Sequence, residues 1–147
     1  MAITKEQWRE TQERLAISFM PVKFRLPTGE VISVHKEFIS ENRTALIVWI
    51  DGQRSAGWGW PDVNTFRPVV KSVWRRKTFK PGASIVRRIA KEKGGKAYLK
   101  RKENAHLHEV KEHWTAFFDT AASLVRQFRK IEGLELITGE ASNAGDE

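Results

Sequence analysis

Six consecutive apolar residues, Ala45-Leu46-Ile47-Val48-Trp49-Ile50, run directly into Asp51-Gly52. A strand that is apolar on both faces has to be covered on both, so this run predicts the centre of a sheet rather than its edge. Asp-Gly suits a two-residue type I′ turn, because both central residues of that turn need positive φ. The pattern therefore predicts a hairpin, with a fourth strand running through Gln53-Arg54-Ser55-Ala56 and ending near Trp58-Gly59-Trp60, before Pro61.

Upstream, Val22, Phe24 and Leu26 alternate with Lys23 and Arg25 and stop at Pro27-Thr28-Gly29, which reads as a strand and a turn. Ile32, Val34 and Phe38 continue the period of two until Ser40-Glu41-Asn42-Arg43 breaks it. Before the strands, Thr4-Lys5-Glu6-Gln7 has the spacing of a capping box and predicts a short helix over residues 5–15. Trp8 and Leu15 carry most of its apolar content, so that helix should lie on something larger.

Downstream, residues 62–68 read as a linker, and Val69, Val70, Val73 and Trp74 fit either a turn or two of helix or an edge strand. Residues 75–81 read as an exposed basic loop. Ser84 is placed to cap a helix with Ile85, Ile89 and Ala90 inward and Arg87, Arg88 and Lys91 outward, stopped by Gly94-Gly95. After Asn104, the residues Trp114, Phe117, Phe118, Ala121, Leu124, Val125, Phe128 and Ile131 recur at spacings of three and four, which predicts one long amphipathic helix ending at Gly133. A fifth strand over residues 134–137 is a further option. The expected fold class is α+β: an N-terminal helix, a four-stranded antiparallel meander, and a basic helical C-terminal half whose long amphipathic helix packs on the sheet. Residues 1–137 are expected to form one domain, and residues 138–147, with three acids and no base, an acidic disordered tail.

Charge is the strongest functional signal. The 147 residues carry a formal net charge of +8. Residues 67–102 alone hold 14 Lys and Arg against one acid, Glu92, so the excess is concentrated in one stretch. Such a field attracts polyanions or acidic protein surfaces. Arg75, Arg76, Lys77, Lys80, Arg87, Arg88, Lys100 and Arg101 are the candidate phosphate contacts, since neutralising phosphates releases counterions and gives strong salt dependence. Trp58, Trp60, Trp74 and Phe79 are the candidate stacking residues or interface anchors, with Tyr98 also available within the basic stretch. Trp49 and Trp114 are assigned to the core.

No residue is assigned a catalytic role. The chain lacks a GxSxG elbow, a Walker loop and a GxGxxG after a strand, and it has no Cys for a thiolate nucleophile, a disulfide or a Cys-ligated zinc. Lys93-Gly94-Gly95-Lys96 follows a helix and so reads as a C-cap rather than a phosphate cradle. His108 and His113 are five apart and cannot share a metal from one helix. Only His106, Glu109 and His113, at i, i+3 and i+7, would align on a helical face as metal ligands, and a polar helix face is the plainer reading. No cofactor is called for. No run is long enough to span a bilayer, so no membrane partner is expected.

Thr4-Lys5-Glu6-Gln7-Trp8, Ile47-Val48-Trp49-Ile50 with Asp51-Gly52, Gly57-Trp58 and Phe66-Arg67-Pro68 together resemble small accessory proteins of tailed phages and prophages of Gram-negative bacteria. The resemblance implies the cytoplasm of a bacterial host and action by binding. The leading expectation is a non-catalytic basic protein that contacts nucleic acid, DNA or RNA, or a host nucleoprotein complex. The alternative is a phage-encoded inhibitor or modulator of a host defence complex, such as CRISPR or restriction, that docks protein to protein. A homodimer paired through a free strand edge is compatible with either.

Overall fold

The computed structural model describes residues 2–137, so the acidic tail lies outside the described residues. The described residues make two compact units: residues 2–75 together with 114–137, and the intervening segment Arg76–His113. From the N-terminus the elements are α1 (Lys5–Ile17), β1 (Val22–Arg25), β2 (Val31–Ser40), β3 (Arg43–Ile50), α2 (Val70–Val73) and β4 (Arg75–Phe79). They continue with α3 (Ala83–Ala90), α4 (Gly95–Leu99), a 3₁₀ segment Lys102–His108, β5 (Lys111–Thr115), β6 (Phe117–Phe118), α5 (Ala121–Phe128) and β7 (Glu135–Ile137). The fold is mixed α+β with an antiparallel sheet and several helices.

In the first unit, α1 starts as its capping box predicts. Thr4 Oγ1 accepts from the Gln7 amide at 3.1 Å and Gln7 Oε1 accepts from the Thr4 amide at 2.9 Å. Trp8, Thr11 and Leu15, spaced three and four apart, are its buried residues. The sheet has the order β6-β3-β2-β1-β7, antiparallel throughout. Its register pairs Val34 with Val48, Ile32 with Ile50, Phe24 with both Ile32 and Leu136, and Leu46 with Phe118. These side chains share one face. Trp8 from α1 stacks on Phe24 with ring centroids 5.8 Å apart, and Phe128 from α5 meets Phe24 edge-on at 5.3 Å and Phe118 at 6.3 Å. Beyond the end of α1, Phe19 stacks on Phe38 at 5.6 Å, and both remain at least half exposed, as does Met20.

The central-strand reading of the apolar run holds, and Asp51 and Gly52 adopt φ of 52° and 76° as a type I′ turn requires. The expected fourth strand does not form. Pairing beyond the turn ends at a single Ile50–Gln53 bridge, and Ala56–Gly59 coils into a 3₁₀ turn. The physical reason is that Gln53, Arg54, Ser55 and Ala56 are all exposed and offer no apolar alternation to bury. The outer edge of β3 is closed from further along the chain instead. The Val48 amide donates to the Ala116 carbonyl at 2.9 Å, the Trp74 indole N–H donates to the Val48 carbonyl at 3.2 Å, and β6 pairs with Leu46 and Ile47. Of residues 69–74, Val70–Val73 form a single turn of helix, α2, and Trp74 is already extended.

The single long helix after Asn104 is also corrected. Trp114, Ala116 and Phe118 are buried in alternation with half-buried Thr115 and Phe117, which is the period of a strand. Thr120 then caps a new helix, its Oγ1 accepting from the Ser123 amide, and only from Ala121 onward do Leu124, Val125 and Phe128 keep helical spacing. Aromatic and β-branched residues satisfied both periods at once, and the strand won because β3 had an open edge. The optional fifth strand is present as β7, at the sheet edge beside β1.

Close approach constrains Gly59, where an added Cβ would fall 1.8 Å from the Trp114 carbonyl oxygen. Gly59→Ala is expected to destabilise the protein by roughly 1–3 kcal/mol through overpacking against backbone, read as a lower denaturant midpoint at unchanged slope. Trp74→Phe removes the donor to the buried Val48 carbonyl. It should cost roughly 1–3 kcal/mol from the unpaired carbonyl alone, measured the same way; a midpoint equal to wild type would remove Trp74 from the role given to it here.

Candidate nucleic-acid interface

The unit Arg76–His113 is defined by its compactness, yet its boundary also divides the charge. It contains 12 Lys and Arg against four Asp and Glu, a net +8. The other described residues contain 14 Lys and Arg against 11 Asp and Glu, a net +3, and the remaining three acids lie in residues 138–147. Most of the positive charge of the described residues, +8 of +11, therefore resides on 38 residues.

This basic unit has almost no apolar core, and α3 buries none of its residues. Leu99 is its one buried large apolar side chain among the described residues. Backbone close approach and polar side chains take over the work of a core. An added Cβ on Gly95 would fall 1.7 Å from the Ile89 carbonyl oxygen, and one on Gly82 would fall 2.5 Å from that of Leu107. The buried Asn104 amide donates to the Tyr98 carbonyl at 2.7 Å, and the His108 ring reaches the Leu99 carbonyl at 2.9 Å. Gly94, at φ 74°, turns the chain from α3 into α4, so the Lys93-Gly94-Gly95-Lys96 sequence opens a short helix as well as following one.

Residues 75–81, expected as a loop, supply β4, which pairs with β5 in a two-stranded sheet. This changes the standing of two candidate cations. Arg75 belongs to the sheet unit and shares Asp119 with Arg43, each at 3.3 Å. Arg76 forms an ion pair with Glu112 at 2.5 Å. Arg101 lies 3.7 Å from Glu103 and places its guanidinium 5.5 Å from the centre of the exposed Tyr98 ring. By contrast, Lys77, Lys80, Arg87, Arg88 and Lys100 are exposed and have no ion-pair partner among the described residues; the same holds for Lys91, Lys93, Lys96 and Lys102.

The aromatic candidates divide in the other direction. Trp74 is 1% exposed and stacks on Trp58 with centroids 6.2 Å apart, so it is a core residue and offers no ring to a base. Trp58 is half-buried beneath the Arg67 guanidinium, 4.6 Å from its centroid, and Trp60 is also half-buried. Phe79 is half-buried, edge-on to the His113 ring at 5.6 Å. Trp114 is buried as expected, whereas Trp49 is half-buried, stacking on His35 at 6.1 Å beneath Arg54.

The helical face that would align His106, Glu109 and His113 does not exist. His106 lies in the 3₁₀ segment and His113 in β5, and among the described residues no group of three His, Cys, Asp or Glu side chains could hold a metal ion. Burial, and then the nearby Lys77 charge, lowers the His113 pKa below its ordinary value. Both causes disfavour the charged form of its ring.

Ser84 is where the sequence reading missed a surface residue. Gly82, not Ser84, is the N-cap of α3, and Ser84 sits within the helix, exposed, on the face that carries Arg87, Arg88 and Lys91. The spacing i, i+3, i+4, i+7 was present in the sequence. What hid it was the habit of hydroxyls to cap helices.

No described helix is long and apolar enough to cross a membrane. No protein-family model matches the chain, and neither the curated proteins nor the solved structures contain a significant match to it.

Proposed function

We propose that this is a non-catalytic nucleic-acid-binding protein whose Arg76–His113 unit tracks phosphates. The observation that carries the reading is the coincidence of the compact boundary with the charge boundary, +8 on 38 residues against +3 on the other described residues. Nine exposed cations without ion-pair partners among the described residues, on a unit this small, repel one another, and such a surface gains most from a partner with dense negative charge. The setting we assign, from the short stretches quoted above, is that of a tailed-phage accessory protein in a bacterial host.

Charge reversal at Arg75 or Arg76 would set acid against Asp119 or Glu112, so those positions confound folding with binding. Lys77, Lys80 and Lys100 are exposed and free of that complication. The wild-type protein should bind labelled nucleic acid with a steep fall of log affinity against log salt. The Lys77→Gln, Lys80→Gln, Lys100→Gln variant should keep its fold and lose about one unit of slope for each phosphate contact removed. Lys5→Gln with Arg14→Gln, both in the sheet unit, should leave the slope unchanged. A flat or absent wild-type response to every nucleic acid would sink this reading. It would turn the basic unit toward an acidic protein surface, as in an inhibitor docking on a host defence complex.

A further inference from the structure

The cations of the basic unit are not chemically equivalent. It contains four arginines, and two are engaged: Arg76 with Glu112, and Arg101 with Glu103 and the Tyr98 ring. The other two, Arg87 and Arg88, stand side by side on α3, exposed and without an ion-pair partner among the described residues. All the remaining unpaired cations are lysines. A lysine acts as a point charge and serves phosphate well, whereas a guanidinium presents a rigid fork that matches paired acceptors.

The position of that fork is equally selective. Ser84, Arg87, Arg88 and Lys91 fall at i, i+3, i+4 and i+7, so they form one strip along the helix, and all four are exposed. No acid lies anywhere in α3. The opposite side, with Val86, Ile89 and Ala90 half-buried, is braced by the close approaches of Gly82 to Leu107 and Gly95 to Ile89. Eight residues of α-helix are about 12 Å long. A helix of this kind fits a B-form major groove, itself about 12 Å wide, where arginine is the commonest specific partner of guanine O6 and N7. The major groove of A-form RNA is too deep and narrow to admit it.

From this we infer that α3 is a reading helix for B-form duplex DNA: Arg87 and Arg88 contact guanine edges in the major groove and Ser84 a neighbouring base, while the lysines hold the flanking phosphates. The inference rests on the nucleic-acid reading above and adds groove, duplex type and base contact to it.

The test uses the full chain and a duplex DNA pool of random sequence, subjected to rounds of binding and amplification. The wild-type protein should enrich a short motif containing guanine, and replacing that guanine by 7-deazaguanine, which lacks the N7 acceptor, should weaken binding about tenfold. The Arg87→Lys, Arg88→Lys variant keeps every charge. Its affinity for the unselected pool and its salt slope should stay within about twofold of wild type, while its preference for the motif falls about tenfold or more. Salt-steep binding with no enriched motif, or with equal or tighter binding to double-stranded RNA or to single strands, would overturn the reading helix and leave the phosphate-tracking function standing. Loss of all salt-dependent binding would overturn both.

Discussion

Everything in the first unit follows from the need to finish β3. A strand apolar on both faces and central in its sheet must also have both backbone edges paired, because an unsatisfied amide or carbonyl in that setting costs free energy on the scale of a whole hydrogen bond. β2 closes one edge. The other is closed by three separate donors and acceptors: the Trp74 indole, the Ala116 carbonyl and the two-residue β6. Trp74 precedes Arg76–His113 in the chain and Ala116 follows it. The sheet is thus completed only after the basic segment has been passed, and the cations between those two closing points never enter the apolar ladder.

The parts of the fold legible in the sequence were those governed by a single local rule. A capping box needs only Thr4 and Gln7; positive φ at Asp51 and Gly52 needs only their small or polar side chains; the β1 and β2 alternation needs only a covered face. The misreadings arose where a local rule was obeyed but a distant partner decided the outcome. Asp51-Gly52 makes its turn without making a hairpin, because the residues beyond it have nothing to bury. The run from Trp114 to Phe118 fits helical spacing on paper and forms strands in the protein, because the open edge of β3 lies more than sixty residues upstream. Thr120, a hydroxyl in front of a true helical repeat, marked the change of period.

The candidate interface was legible in its charge and less so in its geometry. Composition located the basic stretch, and contacts in three dimensions shift it from residues 67–102 to Arg76–His113. The shift adds residues 103–113, with Lys111 and three acids, and removes Arg67, Lys71 and Arg75, whose guanidinium and ammonium groups lie over Trp58, over Phe66 and Trp114, and against Asp119 respectively. Aromatic count misled in the opposite sense. Trp74 serves the core, because an indole N–H was the donor the Val48 carbonyl required, and no reading of composition could distinguish that use from stacking on a base.

The uneven division of charge also bears on how the protein stays in solution. Outside the Arg76–His113 unit the described residues carry only +3, and the exposed Phe19, Met20 and Phe38 are among them. Most of the charge by which one copy would repel another at neutral pH therefore sits on the 38-residue insertion. A polyanion that neutralised the insertion would remove most of that repulsion, and with it a barrier to contact between the exposed apolar side chains of neighbouring molecules.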